Sequence, residues 1–232
     1  MLFGNQKINV YSIFTTINGE IGRSGQGSWA TFIRLAGCNL RCNWCDTRYA
    51  QEEDSGREMS LNEVLFKVKS CKCKNITITG GEPLLQRKPF TSLVNQLLIE
   101  DYLVSVETNG SIPLIPRREM CIIKNDVSWV VDYKPPSAGV EKPFCVENLD
   151  HLGVKDYLKF VINEDGDYKA VFNILKGKEI EGHSIRANVV VSPVLNSSFP
   201  PEKLYDRMHL DGLYDVPISI QIHKLIPLKE PS

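Results

Sequence analysis

The stretch Thr31-Phe32-Ile33-Arg34-Leu35-Ala36-Gly37-Cys38-Asn39-Leu40-Arg41-Cys42-Asn43-Trp44-Cys45 joins a short, largely apolar run to a glycine and three cysteines. Thr31–Leu35 is apolar at successive rather than alternate positions, as in a strand covered on both faces within a parallel sheet. The same succession recurs along the chain. Ile76–Thr79 leads into Gly80-Gly81-Glu82-Pro83, Val104–Val106 into Glu107-Thr108-Asn109-Gly110, and Val130–Val131 into Asp132-Tyr133-Lys134-Pro135-Pro136-Ser137. In parallel α/β folds the ligand site forms at the C-terminal ends of the strands, so these four segments are expected to converge.

Working outward, β-branched runs at Ile8–Phe14, Asn75–Thr79, Leu103–Glu107, Trp129–Asp132, Tyr157–Ile162, Asn188–Val191 and Ile218–Ile222 are also expected as strands. Helical patterns lie between them. Ser60-Leu61-Asn62-Glu63 has the capping-box form and opens a helix with Leu61, Val64, Leu65 and Val68 on one face. Pro89 suits a first helical position before Phe90, Leu93, Val94, Leu97 and Leu98, and Asp167–Lys176 gives a third helix. Alternating strands and helices imply right-handed β-α-β units and an α/β fold. About six units fit this length, short of the roughly 250 residues of a closed eightfold barrel. No linker or repeat divides the chain, so residues 1–232 are expected to form one domain, with 46–59 and 111–127 as long functional or surface loops.

The 232 residues carry 27 Lys+Arg against 28 Asp+Glu, a formal charge of −1. That balance disfavours a nucleic-acid partner bound through a broad basic face. No apolar run approaches the ~20 residues that span a bilayer, and Met1–Lys7 has no secretory pattern. A cytoplasmic location, without membrane partners, is the expectation.

Seven cysteines, an odd number, do not read as a disulfide framework. Cys71, Cys73, Cys121 and Cys145 are expected as buried or half-buried thiols, the one-residue gap of Cys71-Lys72-Cys73 suiting chelation poorly. Cys38, Cys42 and Cys45 form C-x3-C-x2-C. Structural zinc usually takes four ligands from two separated pairs, whereas three thiolates can each hold one iron of a four-iron cluster and leave the fourth open. Spacing alone leaves the cluster, a zinc knuckle and an incidental grouping in play.

Cys38-Asn39-Leu40-Arg41-Cys42-Asn43-Trp44-Cys45 resembles the cysteine loop of radical S-adenosylmethionine (SAM) enzymes, and Gly80-Gly81-Glu82-Pro83 resembles their glycine-rich motif. The resemblance implies a partial, open β/α barrel with about six core parallel strands. It also implies a 4Fe–4S cluster on Cys38, Cys42 and Cys45, whose open iron takes the amine and carboxylate of SAM. Ile13–Glu20, Phe32–Cys38, Cys45-Asp46-Thr47 and Gln221-Ile222-His223-Lys224 are more narrowly similar to the 7-carboxy-7-deazaguanine synthase family. Members of that family contract the ring of 6-carboxy-5,6,7,8-tetrahydropterin with loss of ammonia, on the way to 7-deazapurines such as queuosine.

That resemblance implies Mg2+ on Thr47 and a substrate site of Ile17, Asn18, Gly19, Glu20, Arg34 and Thr79. Arg34 would supply a planar fork for the substrate carboxylate. It further implies SAM contacts at Trp44, Cys45, Asp46, Gly81, Asp132, Tyr133, Lys134 and Ser137, and at Ser192, Pro193, Val194 and Leu195. A homodimer and a flavodoxin-like or other low-potential electron donor follow in the same way. Gly80 and Gly81, lacking Cβ atoms, are expected to let backbone approach a bound methionine. The chain departs from the family at Asn18, where glutamine is usual, at Ile21, and at Asp132-Tyr133. Gln221, His223 and the terminal Pro231-Ser232 are left without an assigned role, and His151, His183 and His209 are expected to be surface or structural residues. Two other functions compete: a glycyl-radical-type activating enzyme acting on a protein, and a non-catalytic zinc-binding module.

Overall fold

The structure, a computed structural model, describes residues 6–120, 127–141 and 144–226. Cys121 and Pro231-Ser232 lie outside the described residues. The strands are β1 (Lys7–Ile17), β2 (Trp29–Leu35), β3 (Arg57–Ser60), β4 (Asn75–Gly80), β5 (Leu103–Thr108), β6 (Ser128–Tyr133), β7 (Tyr157–Ile162), the short β8 (Glu179–Ile180) and β9 (His183–Ser184), and β10 (Asn188–Pro193). The helices are α1 (Leu61–Ser70), α2 (Arg87–Ile99), α3 (Asp165–Gly177), α4 (Pro201–Leu210) and the single turn α5 (Ile222–Leu225).

Eight strands form one sheet in the order β10-β7-β6-β5-β4-β2-β1-β3, ending in two separate edges rather than closing. From β2 to β10 the pairings are all parallel, which gives the six core strands. β1 and β3 extend the sheet antiparallel, β1 pairing with both β2 and β3. The chain is thus an α/β open half-barrel.

Period-two alternation divides the work of each strand. Ile33, Leu35, Ile76, Ile78, Val104, Val106, Trp129, Val131, Leu158 and Phe160 point to the helix side and are buried there with Phe90, Leu93 and Leu97 of α2. Their neighbours Arg34, Thr79, Glu107, Asp132, Lys159 and Ser192 point the other way, into a cavity.

Several boundaries differ from the sequence reading. Ile218–Ile222 is not a strand. Ile218 makes one isolated parallel bridge to Val191, because Pro217 lacks an N–H and Gln221 already begins α5. The helix expected from Pro89 begins at Arg87, after a 3-10 turn over Pro83–Gln86, and Pro89 sits in its first turn, where no N–H is needed. The third helix starts two residues early, at Asp165, where Asp167 receives the N–H groups of Asn163 and Glu164. Residues 46–59 are not all loop, since they contain two 3-10 turns and most of β3. Among the described residues, α-helices follow four of the six parallel strands. The connections after β5 and β6, which carry Pro113, Pro116, Pro135 and Pro136, form only 3-10 turns among the described residues.

Candidate active site

The cysteine loop springs from the end of β2 and is closed at its base by backbone. Gly37 and Cys38 donate to the carbonyls of Ala50 and Gln51 at 3.0 and 2.8 Å. Within it, the Arg41 guanidinium donates to the Cys38 carbonyl at 2.7 Å, and Arg48 to that of Asn43 at 2.7 Å. All three thiols are free and half-buried, and all three line one cavity of about 440 Å³. Burial pushes the Cys38 and Cys42 thiols up, the nearby Lys134 ammonium opposing this at Cys42.

Gly80 and Gly81 also serve the packing of the cysteine loop. A Cβ on Gly80 would overlap the backbone of Leu35, and one on Gly81 the carbonyl of Gly37. Gly81 donates to the Leu35 carbonyl at 3.0 Å and Glu82 to that of Gly37 at 2.8 Å. The pair therefore lets the end of β4 press against the root of the cysteine loop, with Gly81 still part of the cavity wall. Gly80 also has a φ of +144°, which side chains rarely adopt. Glu82, fully buried, ties this junction to the end of β5: its carboxylate accepts from the Leu84 N–H at 3.0 Å, the Asn109 N–H at 2.7 Å and the Thr108 hydroxyl at 2.9 Å. Burial pushes the Glu82 carboxyl up despite those donors.

Opposite the loop, the strand interiors supply a charged wall. Lys159 pairs with Glu20 and, at 3.0 Å, with Asp132; Lys134 pairs with Asp132 at 2.9 Å. The other Glu20 oxygen accepts from the Gln221 amide. Burial works against the charges of Lys159 and Lys134, but Asp132 beside both, with Glu20 also beside Lys159, holds each ammonium above its ordinary range. Burial likewise opposes the Asp132 charge, and the two ammoniums outweigh it and hold that carboxyl low. Glu107 is the exception: burial, with Glu20 beside it, pushes its carboxyl up to about 7, although Lys159 and the Thr79 hydroxyl favour the charged form. The buried Arg34 guanidinium lies over the rings of Tyr49 and Phe14, at 5.6 and 5.9 Å from their centroids.

The C-terminal segment completes the wall. Ile222 donates its N–H to the Gly19 carbonyl at 3.0 Å, and the His223 ring occupies the space a side chain at residue 19 would need. Burial pushes the His223 imidazole down. Lys224 reaches Asp46 at 2.9 Å, and although burial opposes it, that ammonium holds the Asp46 carboxyl low.

Of the residues expected at the site, Ile17, Gly19, Glu20, Arg34, Cys38, Cys42, Trp44, Cys45, Asp46, Thr47, Thr79, Gly81, Asp132, Lys134, Ser192 and Val194 line this cavity. Asn18, Tyr133, Ser137, Pro193 and Leu195 stand outside that lining. Residues 18–28 fold back on themselves, and Asn18 accepts from the Thr77 hydroxyl at 3.1 Å and donates to Ser24 at 3.0 Å, below the wall. Tyr133 follows Asp132 and so faces the other way, against Phe160 and Phe144. Ser137 is held by Asp167 of α3 through both its N–H and its hydroxyl. Pro193 and Leu195 alternate out of step with Ser192 and Val194. The structure adds Glu107, Asn109 and Lys159, together with Gln221, His223 and Lys224. A lysine inside the apolar run Tyr157–Ile162 and a glutamate ending Leu103–Glu107 were the available signals.

The donor set fits the groups expected on it. Among the described residues no three His, Cys, Asp or Glu side chains converge as a single ion would require, whereas three free thiols lining one cavity suit a cluster that offers each its own iron. Thr47 lines the cavity with its hydroxyl 3.7 Å from the Cys45 sulfur. One protein oxygen of this kind fits Mg2+, which keeps waters or substrate oxygens for most of its octahedron.

Residues 32–130 match the Radical SAM superfamily. The chain is 40% identical over 215 residues to the 7-carboxy-7-deazaguanine synthase of Clostridium acetobutylicum, covering 92% of this chain and 93% of that protein. It is 32% identical over 231 residues to the protein of the same name from Koribacter versatilis, covering 94% and 96%. The crystal structure of QueE from Escherichia coli is similar in fold, with a TM-score of 0.68 at 20% identity over 93% of this chain and 94% of that one.

Proposed function

The chain belongs to the 7-carboxy-7-deazaguanine synthase family of the radical SAM superfamily, and from that premise we propose that it contracts 6-carboxy-5,6,7,8-tetrahydropterin to 7-carboxy-7-deazaguanine with loss of ammonia. One observation carries the substrate class: the three-cysteine loop and the charged wall of Glu20, Arg34, Glu107, Asp132 and Lys159 share a single cavity of about 440 Å³. That size is ordinary for a small-molecule site. A wall with charges of both signs suits a small heterocycle bearing a carboxylate and an amidine-like edge. The activating enzyme of a glycyl-radical protein and the zinc module are not favoured.

In this reading Cys38, Cys42 and Cys45 hold the cluster, and Trp44, Gly81, Asp132, Lys134, Ser192 and Val194 border SAM. Thr47 takes Mg2+. Together the cluster and SAM supply, when bound, a 5′-deoxyadenosyl radical by one-electron cleavage. The chain's own contribution is placement. Arg34, held over Phe14 and Tyr49, offers its fork to the pterin carboxylate. Glu20, fixed by Lys159 and Gln221, faces the polar edge of the ring, and Thr79 and Glu107 close the side between them. Asn18, Tyr133 and Ser137 brace this wall from outside the cavity lining.

The reading takes residues 1–232 as one radical SAM domain working in the cytoplasm as a homodimer, with a flavodoxin-like or other low-potential donor. No helix among the described residues is long and apolar enough to cross a membrane. Anaerobic incubation with SAM, reductant, Mg2+ and 6-carboxytetrahydropterin, followed by mass analysis, tests the activity. The expected product is 7-carboxy-7-deazaguanine with ammonia; SAM cleavage without any change in the pterin would overturn the substrate assignment.

A further inference from the structure

The segment after β5 was marked by the sequence as one of four converging on the site, yet no role was attached to Asn109. Its side chain is buried and lines the cavity. The carboxamide makes a full set of bonds. Its oxygen accepts from the Ser111 N–H at 2.9 Å and the Ser111 hydroxyl at 2.7 Å. Its nitrogen reaches the Asn39 side-chain oxygen at 3.1 Å and the Cys38 sulfur at 3.8 Å. Asn39 closes the ring of contacts by donating to the Ser111 hydroxyl at 2.8 Å.

A backbone N–H can only donate, so the Ser111 N–H fixes which end of the carboxamide is oxygen. The NH2 end must therefore face the sulfur. The Asn109 backbone N–H is meanwhile anchored on the buried Glu82, which fixes the main chain from which the carboxamide projects. Cys38 thus accepts from the Leu40 N–H at 3.5 Å and from a carboxamide that Ser111 and Asn39 hold by three further contacts. Cys45, by contrast, has the Thr47 hydroxyl at 3.7 Å.

Resting on the family reading above, we propose that Asn109 is a positioning residue for the iron–sulfur cluster. It donates to the Cys38 sulfur and raises the cluster's reduction potential. Hydrogen bonds to cluster sulfurs withdraw electron density and so favour the reduced state. The fixed carboxamide biases one of the three ligands and leaves the other two to their own surroundings.

Asn109→Asp keeps the shape but replaces the donor with an acceptor. In anaerobically reconstituted protein without SAM, the midpoint potential should fall by at least the equivalent of a tenfold change in the reduction equilibrium, about 59 mV for one electron. Asn109→Ala, which removes the donor without adding charge, should fall less. Iron content and thermal melting report any merely structural damage. Should either variant fail to hold a cluster, wild-type protein with 15N-labelled asparagine side chains decides: the reduced cluster should show hyperfine coupling to a carboxamide nitrogen. Unchanged potentials in intact variants, or no such coupling, would overturn the role of Asn109. A wild-type protein that assembles no four-iron cluster at all would instead overturn the family reading on which it rests.

Discussion

Replacing Glu107 by glutamine should stabilise the protein at neutral and alkaline pH and leave it nearly unchanged at about pH 4. The Glu107 carboxyl is pushed by burial, and by Glu20 beside it, to about 7 in the folded chain, against about 4.3 in an unfolded one. A raised carboxyl means that the folded state binds more protons than the unfolded state between those values, so stability falls as pH rises through that window and is level above it. At about 1.36 kcal/mol per pH unit the penalty reaches about 4 kcal/mol, and solvent screening in an open cavity reduces it to about 2 kcal/mol. Asp132 does not mask this. Its carboxyl is held low, so its contribution is already present above about pH 4 and is lost only as pH falls further.

Glutamine keeps an acceptor for Thr79 and removes the charge. Urea unfolding of wild type and Glu107→Gln, at matched iron content, should therefore give nearly equal midpoints at about pH 4, below the unfolded value, and a difference that opens as pH rises. At pH 8 the variant's midpoint should be higher by about 2 kcal/mol once converted with an unchanged m-value. Equal differences at both pH values, or a variant that is less stable at pH 8, would refute the placement of Glu107 as a carboxyl forced to share a crowded anionic wall.

Lys159→Met should cost about 3 kcal/mol, because Glu20 and Asp132 both lose a buried partner; adding Glu20→Gln should recover part of that loss in a double-mutant cycle read by denaturant melts. Gly81→Ala should destabilise by more than about 2 kcal/mol or lower the retained iron, since its Cβ overlaps the Gly37 carbonyl at the root of the cysteine loop. Thr47→Ala should depress turnover on the order of a hundredfold with SAM binding little changed and the Mg2+ response weakened. Thr47→Ser should restore part of the turnover, and wild-type rates from the alanine variant would place the metal elsewhere.

What could be read from the chain follows from how local each signal is. Thr31–Leu35 and its counterparts carry a strand pattern and a polar tail within a dozen residues, so the parallel core and the convergence of four loops were visible. The antiparallel β3 was not, because Arg57-Glu58-Met59-Ser60 has one apolar residue and owes its strand to pairing with Lys7–Val10. Residues 218–222 look like a strand locally, yet Pro217 and the start of α5 leave only one bridge. Asn18 was placed at the site by its neighbours in sequence. The fold-back of residues 18–28 decides its direction, and that depends on Thr77 and Ser24. Lys159 and Glu107 were hidden the opposite way, as single charges in apolar runs whose inward face shows only once the strand register is known.

The same strands meet two opposed demands. On the helix side, Trp129, Ile33, Val104 and Phe160 are fully buried and supply the apolar contact that holds the sheet. On the cavity side, the same strands carry Arg34, Glu107, Asp132 and Lys159. Buried ion pairs are a poor source of stability, because desolvation offsets most of their attraction and apolar residues of similar volume commonly do as well or better. A wall of valines would serve the fold at least equally. The ammoniums of Lys134 and Lys159 pair with Asp132 and Glu20, and Glu107, buried beside Glu20, is the carboxyl forced upward. The open sheet lets the wall stay polar and reachable, with Gln221, His223 and Lys224 as its rim, and it leaves the stability of the domain to the opposite face of each strand.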